Sequence, residues 1–259
     1  MATRKTSPPL SGWKGGKSRL AKRIIERIPQ HICYVEPFAG AAWVLFLKTP
    51  SKVEVLNDLN GDIVRVYRVM KNHPEELARQ FENSIISREE FERYKATPPD
   101  CLTDIQRAVR FIYLLKHSFG GNIFKGGCFG YGTDTPPRAT GPSIMARIKQ
   151  AFERLAAVTL ENLPFENCIA RYDRPHTFFY LDPPYFGCEN SYGRGLFERA
   201  DFERLAGQLA GLKGKFLLSL NDCPEVRSLF SGFNLEEAQT TYSCGTKPTK
   251  AAELFITNY

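Results

Sequence analysis

The sequence lacks the marks of several large functional classes. No apolar run approaches the roughly 20 residues that a membrane-spanning helix needs. Met1 to Pro9 is polar and holds no apolar secretory core, so a cytoplasmic protein with no membrane partner is expected. The cysteines number seven and no two stand as C-x-x-C, which argues against a zinc site and a disulfide framework. His31, His73, His117 and His176 are scattered, with no H-E-x-x-H pair, so no metal is expected. There is no internal repeat and no long low-complexity tract. What remains is an ordinary globular composition, 42% hydrophobic and 24% charged, on a chain of 259 residues. That length suits one large α/β domain, or a core carrying one insertion. The formal net charge of +7 suits a polyanionic partner.

The pattern alternates strands and helices at both ends of the chain. Leu20, Ile24 and Ile28 share a face of a helix expected over 17–28, with Pro29 as its stop. Strands are expected at Cys33–Glu36 and Val53–Leu56, with a turn and helix over Gly40–Leu47 between them and a helix capped by Asn60 after them. Residues 65–160 read as mainly helical, with Ile105, Val109, Ile112 and Leu115 in one stripe. A Gly- and aromatic-rich hairpin or loop lies within them at Ser118–Gly132. Strands resume at Thr177–Leu181 and Phe216–Leu220, around a helix that Asp201 is placed to cap. Two more follow at Thr240–Ser243 and Leu254–Thr257. This order predicts a largely parallel, doubly wound sheet, whose ligands bind at the carboxyl ends of the strands. Glu36, Asp58, Asp182 and Asn221 all fall at such ends.

Three motifs carry chemistry. In Tyr180-Leu-Asp-Pro-Pro-Tyr185 an acid leaves a buried strand and meets two prolines. Each proline fixes its φ and removes a donor, so the segment is stiff and presents only acceptors. An amino group on a flat ring has two hydrogens to donate. Asp182 and the Pro183 carbonyl are placed to accept both, and Tyr185 to stack on the ring. In Tyr34-Val-Glu-Pro-Phe-Ala-Gly-Ala-Ala42 a strand and an acid are followed by a small-residue turn. It departs from G-x-G-x-x-G, so a dinucleotide is disfavoured and a phosphate-free ligand such as S-adenosylmethionine fits better. Its cationic sulfonium favours Glu36 and Asp182. About twenty residues further on, Asp58 stands where an acid can accept from ribose hydroxyls. Ser11-Gly-Trp-Lys-Gly-Gly-Lys-Ser18 nearly matches a P-loop, but Ser11 replaces the first glycine and no strand launches it. It reads instead as a tight loop bringing Trp13 and Lys17 to a ligand.

With Trp13-Lys-Gly-Gly-Lys17, Val35-Glu-Pro-Phe-Ala-Gly40, Asn57-Asp-Leu-Asn60, Asp182-Pro-Pro-Tyr185 and the ending Glu253-Leu-Phe-Ile-Thr-Asn-Tyr259 in this order, the chain resembles the D12-class, or Dam-like, adenine-specific DNA methyltransferases. The resemblance covers nearly the whole chain, in the family's α arrangement. It implies a mostly parallel, seven-stranded, Rossmann-like methyltransferase sheet (1–64 and 161–259) with a mainly helical target-recognition insertion (65–160). It implies S-adenosylmethionine as methyl donor, with S-adenosylhomocysteine as product, and double-stranded DNA as partner. Trp13, Lys17, Asp58 and Asp182 would line the cofactor site, with Glu36, Phe38, Ala39 and Gly40 beside them and Leu59 and Phe165 completing the set. Asp182, Pro183, Pro184 and Tyr185 would form the catalytic tetrapeptide. In the insertion, Asn122, Lys125, Tyr131 and Arg138 are the candidate DNA-binding residues. Ala41-Ala42 departs from the glycine or hydroxyl residue of many relatives, and Gly120–Gly132 lacks an arginine-rich pattern, so no recognition sequence is carried over.

The expected reaction is direct transfer to the N6 amine of an adenine flipped out of duplex DNA, without a covalent intermediate. The Phe186–Phe197 loop, with Gly187, Tyr192, Gly193 and Gly195, is expected to close over that nucleotide. Two alternatives stay open on the residues: another amino-group substrate such as RNA or protein, and an inactive DNA-binding relative. A bacterial or phage setting and a monomer are expected; a dimer is left open, as is the choice among a restriction–modification, phage-encoded or regulatory role.

Overall fold

Short runs rich in β-branched and aromatic residues build the sheet. They are β1 (Cys33–Glu36), β2 (Val53–Asn57), β3 (Val158–Glu161), β4 (Thr177–Leu181), β5 (Lys215–Asn221), β6 (Asn234–Tyr242) and β7 (Thr249–Thr257). The computed structural model describes residues 7–123, 127–134, 136–137, 139–189, 193, 195–242 and 249–259. Its strands form a seven-stranded sheet in the order β3-β2-β1-β4-β5-β7-β6. β1 runs parallel to β2 and β4, and β4 parallel to β5. β7 lies antiparallel between β5 and β6. This is the mostly parallel, seven-stranded sheet that was expected. β1 and β4 are buried along their whole length, which is why they read as continuous apolar runs without alternation. The order steps from β1 directly to β4, and a step of this kind opens a crevice at the carboxyl ends of the two strands.

The helices are α1 (Ala21–Ile25), α2 (Trp43–Leu47), α3 (Gly61–Asn72), α4 (Pro74–Arg79), α5 (Arg88–Ala96), α6 (Asp104–His117), α7 (Gly141–Leu155), α8 (Phe165–Tyr172), α9 (Arg199–Ala210) and α10 (Pro224–Leu229). Asn60 caps α3 through a bond from the Asp62 N–H, as expected. α1 is shorter than the helix expected over 17–28, because tight turns replace helix on both sides of it: Leu20 N–H bonds to Lys17 O, and Arg27 N–H to Ile24 O. Glu198, not Asp201, caps α9. Asp201 is the third helical residue and answers from inside a reciprocal capping box. The last two strands are far longer than expected, and β3 was not foreseen as a strand. Ser243 lies outside the described residues.

By internal contacts the chain forms two compact units. One comprises Lys17–Ala39, Lys48–Leu59 and Glu161–Tyr259 and carries nearly all of the sheet. Its core joins Val35, Phe179, Leu181, Leu218 and Ile256 to Cys168 of α8 and Phe202, Leu205 and Leu209 of α9. The other comprises Met1–Gly16, Gly40–Leu47 and Asn60–Leu160 and is mainly helical, with α3 packed on α6 and α7, and α5 on α6. The division departs from the expected boundary near residue 64. The Trp13 loop and the Gly40 turn belong to the helical unit, because the Trp13 indole stacks on Phe111 of α6 at 5.8 Å. A Cβ on Gly40 would stand 3.1 Å from the indole nitrogen, and the residue's φ is +46°. Both features favour glycine there. Two residues on, Ala42 adopts φ 52°, a left-handed conformation that costs a residue with a Cβ about 1 kcal/mol.

Within the sheet-bearing unit Lys48 and Glu54 form a buried ion pair at 2.5 Å. Lys48 also donates to Thr49 O and Ser51 Oγ and lies 4.2 Å from the Tyr34 ring. Lys48→Ala would leave the Glu54 carboxylate buried without its cation, at a cost of about 3–5 kcal/mol in urea denaturation. Adding Glu54→Leu should recover most of that loss. A single-variant loss below about 1 kcal/mol would refute this account.

Candidate active site

Asp182 leaves the buried β4 where the crevice opens, and its side chain keeps 20% of its surface exposed. Lys17 meets it: the Nζ lies 2.5 Å from Asp182 Oδ1, and the lysine side chain is 4% exposed. Lys17 is held by its own backbone, whose carbonyl accepts from the Leu20 and Ala21 N–H groups at the entry to α1. From β5, Ser219 Oγ donates to the same Asp182 oxygen at 3.3 Å and lies 3.1 Å from the Tyr180 hydroxyl. Burial pushes the Asp182 carboxyl up to about 6. The Lys17 ammonium and the Ser219 hydroxyl oppose the rise, and the negative charge of Glu253 adds to it.

Pro183 and Pro184 are buried, and Tyr185 follows half-buried, with Lys17 Nζ 4.7 Å from its ring centre. Asn221 ends β5 and bonds twice to the next residue. Its Oδ1 accepts from the Phe186 N–H at 2.9 Å, and its Nδ2 donates to the Phe186 carbonyl at 3.2 Å. Lys17, Asp182 and Tyr185 thus come together as the sequence pattern suggested. Ser219 was missed. Its signal was a hydroxyl set among apolar residues of a buried strand, where an unpaired polar group is costly.

At the end of β1, Glu36 is buried and accepts from the Tyr34 hydroxyl at 2.7 Å. Burial, reinforced by Glu36, holds the Tyr34 hydroxyl protonated as the donor. The following turn is pinned by Asn57, another residue absent from the candidate set. Its Nδ2 donates to Pro37 O at 2.9 Å and Leu163 O at 3.0 Å, and its Oδ1 accepts from the Leu163 N–H. The Ala39 N–H bonds to the Asn57 carbonyl. Asp58 is half-buried and Leu59 is 41% exposed; Asn162 Nδ2 donates to both of their carbonyls. Phe165 is buried, with Phe38 and Phe197 packed on it at 5.5 and 5.9 Å. Trp13 and Gly40 pack on each other in the helical unit.

Of the DNA-binding candidates, Lys125 and Arg138 lie outside the described residues, as does Tyr192 of the glycine-rich loop. An isolated antiparallel bridge joins Ser118 to Phe129 after α6. Asn122 is half-buried at its turn; Tyr131 is 74% exposed, with the Arg88 guanidinium 5.3 Å from its ring.

A buried strand thus ends in a turn whose two prolines have no backbone N–H, with the Tyr185 ring beside it. Residues 13–244 match the D12 class N6 adenine-specific DNA methyltransferase family. The chain belongs to that family, and its reaction is methylation of adenine in DNA. It is 27% identical to the type II methyltransferase M1.LlaDCHI of Lactococcus lactis subsp. cremoris, over 97% of this chain and 95% of that one. It is 25% identical to the type II methyltransferase M.CviBI of Paramecium bursaria Chlorella virus NC1A, over 90% of each. The DNA adenine methylase of Escherichia coli K12 is 32% identical over 42% of this chain and 40% of its own. Membership narrows the open choice of substrate to adenine in DNA. It also implies S-adenosylmethionine as the methyl donor. The residues suit that group, since carboxylates stand at the ends of two adjacent parallel strands, Glu36 on β1 and Asp182 after β4, where a sulfonium gains from negative charge. Among the described residues no helix is long and apolar enough to cross a membrane, and no His, Cys, Asp and Glu side chains gather as a metal site.

A carboxylate accepts a hydrogen bond from an amine, and its protonated form competes as a donor. With Asp182 raised to about 6, kcat/KM for methylation should fall as pH drops through that value and level off above it. Initial rates at subsaturating DNA between pH 5 and 8.5 test this. A profile flat down to pH 5 would show that Asp182 does not act as an ionised acceptor.

Proposed function

We propose that this protein is a site-specific modification enzyme that flips an adenine out of duplex DNA and holds its amine between the Asp182 carboxylate and the Pro183 carbonyl. The observation that carries this reading is the buried Asp182, fixed by Lys17 and Ser219 at the mouth of a segment that has no N–H of its own to offer. S-adenosylmethionine supplies an electrophilic methyl group. The work of the chain is to aim the nitrogen lone pair and to keep water away. Asp182 and the Pro183 carbonyl accept the two amine hydrogens, Tyr185 stacks on the base, and Pro184 keeps the two acceptors in register. Asp182 acts mainly as a positioning acceptor, and it can take the proton after transfer. Glu36, Phe38, Ala39, Gly40, Asp58, Leu59 and Phe165, with Trp13 and Lys17, are the residues assigned to the methyl donor.

The insertion at 65–160 is assigned to target recognition, through Asn122, Lys125, Tyr131 and Arg138. One further cation supports a polyanionic partner there. Arg147 donates to the Ser11 hydroxyl, and among the described residues no carboxylate pairs with it. The type II names of the full-length relatives favour a restriction–modification role, and a monomer is sufficient for the reaction. The setting proposed is the cytoplasm of a bacterium or of a phage-infected cell.

Three measurements test the reading. Tritium from labelled S-adenosylmethionine should enter duplex DNA as N6-methyladenine and should not enter RNA or protein. The isosteric Asp182→Asn should lower the rate at least about 100-fold, the scale of one preorganised polar contact. A variant that labels DNA normally would remove Asp182 from the chemistry. Lys125→Ala and Arg138→Ala should each flatten the log Kd against log salt slope by about one, with unchanged slopes assigning the insertion another role.

A further inference from the structure

We propose that Ser219 and Asn221, neighbours on one face of β5, are positioning residues for the tetrapeptide, Ser219 setting the Asp182 carboxylate and Asn221 setting the Tyr185 ring. The inference rests on the assignment of amine acceptance to Asp182 and base stacking to Tyr185.

Pro183 and Pro184 have no N–H, so these two residues cannot donate to a neighbouring strand. Side chains of β5 grip the segment at its two ends. At the first end Ser219, fully buried, donates to Asp182 Oδ1 at 3.3 Å and lies 3.5 Å from the Leu181 carbonyl. It is flanked in β5 by Leu218 and Leu220, both buried. A hydroxyl at such a position is destabilising unless it is bonded, and its partners belong to the tetrapeptide and the strand that launches it.

At the second end Asn221 makes with one side-chain amide both of the bonds that a neighbouring strand would make to Phe186. A carboxylate there could accept from the N–H but not donate to the carbonyl. The far side of Phe186 is closed by the Arg199 guanidinium, 3.8 Å from its ring, and by Phe202 at 5.2 Å. Tyr185 is therefore strung between two fixed points, the Asp182 carboxylate and the Phe186 peptide. β5 reaches both because side chains two residues apart project from the same face. The end of β5 is fixed in turn, with Asn221 opposite Glu253 in the antiparallel pairing with β7.

The full chain, assayed over pH 5 to 8.5 with duplex DNA and S-adenosylmethionine, separates this role from mere packing. Ser219→Ala removes a bond that favours the charged carboxylate. It should move the acid limb of kcat/KM up by about half a pH unit. Ser219→Cys keeps the volume, donates more weakly, and should move the limb the same way by less. Asn221→Ala should leave the limb in place, lower kcat at least about tenfold and raise KM for DNA, with the Kd for S-adenosylmethionine within about twofold. Loss of packing alone would lower the melting temperature without moving the limb.

An unmoved limb in both Ser219 variants, or an Asn221→Ala kcat within about twofold of the parent, overturns the proposal. Asp182→Asn is the control. If it is inactive while the β5 variants are normal, only the positioning roles fail. If it is active, the assignment of Asp182 itself fails.

Discussion

The site depends on a carboxylate that the fold has taken partly out of water. Asp182 follows five buried strand residues, and its side chain keeps only a fifth of its surface exposed. An isolated charge in that place would neutralise itself. Lys17 opposes this. Its ammonium reaches the carboxylate at 2.5 Å, and its own position is set by the turn that starts α1. The pairing is incomplete as compensation, since burial still lifts the carboxyl to about 6. The result is a weakly solvated carboxylate held in place by Lys17 and Ser219. A fully exposed aspartate would spend its lone pairs on water.

The tetrapeptide and the β5 residues divide the work between rigidity and alignment. Proline supplies stiffness by removing a torsion and a donor, and the same loss leaves the segment unable to join the sheet. Ser219 and Asn221 restore the missing anchoring with side chains instead of backbone. The turn after β1 solves a related problem in another way. The Asn57 amide ties together Pro37 and Leu163, and its carbonyl holds Ala39, so one asparagine keeps a small-residue turn in place without filling it.

Much of this was legible in the sequence, for physical reasons. The parallel strands β1, β2 and β4 are buried on both faces, so their apolar runs stand out and end sharply at an acid or amide. The motifs at those ends were legible because a stiff, donor-free turn after an acid has few structural uses. The long antiparallel pair β6 and β7 was truncated in the reading because Asn234–Gln239 carries Glu236 and Glu237 on a partly exposed edge strand, where charge masks the strand pattern. β3 was hidden by its brevity. Aspartate is a common cap, yet Asp201 serves as the third residue of α9 while Glu198 takes the cap position. Ser219 shows in the sequence only as a hydroxyl among apolar residues of a buried strand. Its partner, like those of Asn57, lies far along the chain, and no local pattern names it.

The allocation of residues to the two units has a similar cause. Trp13 and Gly40 sit within motifs that read as parts of the sheet domain, yet both pack in the helical unit, and the link between them is steric. The indole stacks on Phe111 of α6 and occupies the space that a side chain at position 40 would need. Glycine at 40 therefore answers to Trp13. Ala42, strained at φ 52° where glycine would be relaxed, shows that this turn is held by its packing and not by local preference. A turn so constrained cannot drift to suit different guests. Its shape is set before any ligand arrives, which is the condition under which binding free energy can be directed to aligning the reacting groups.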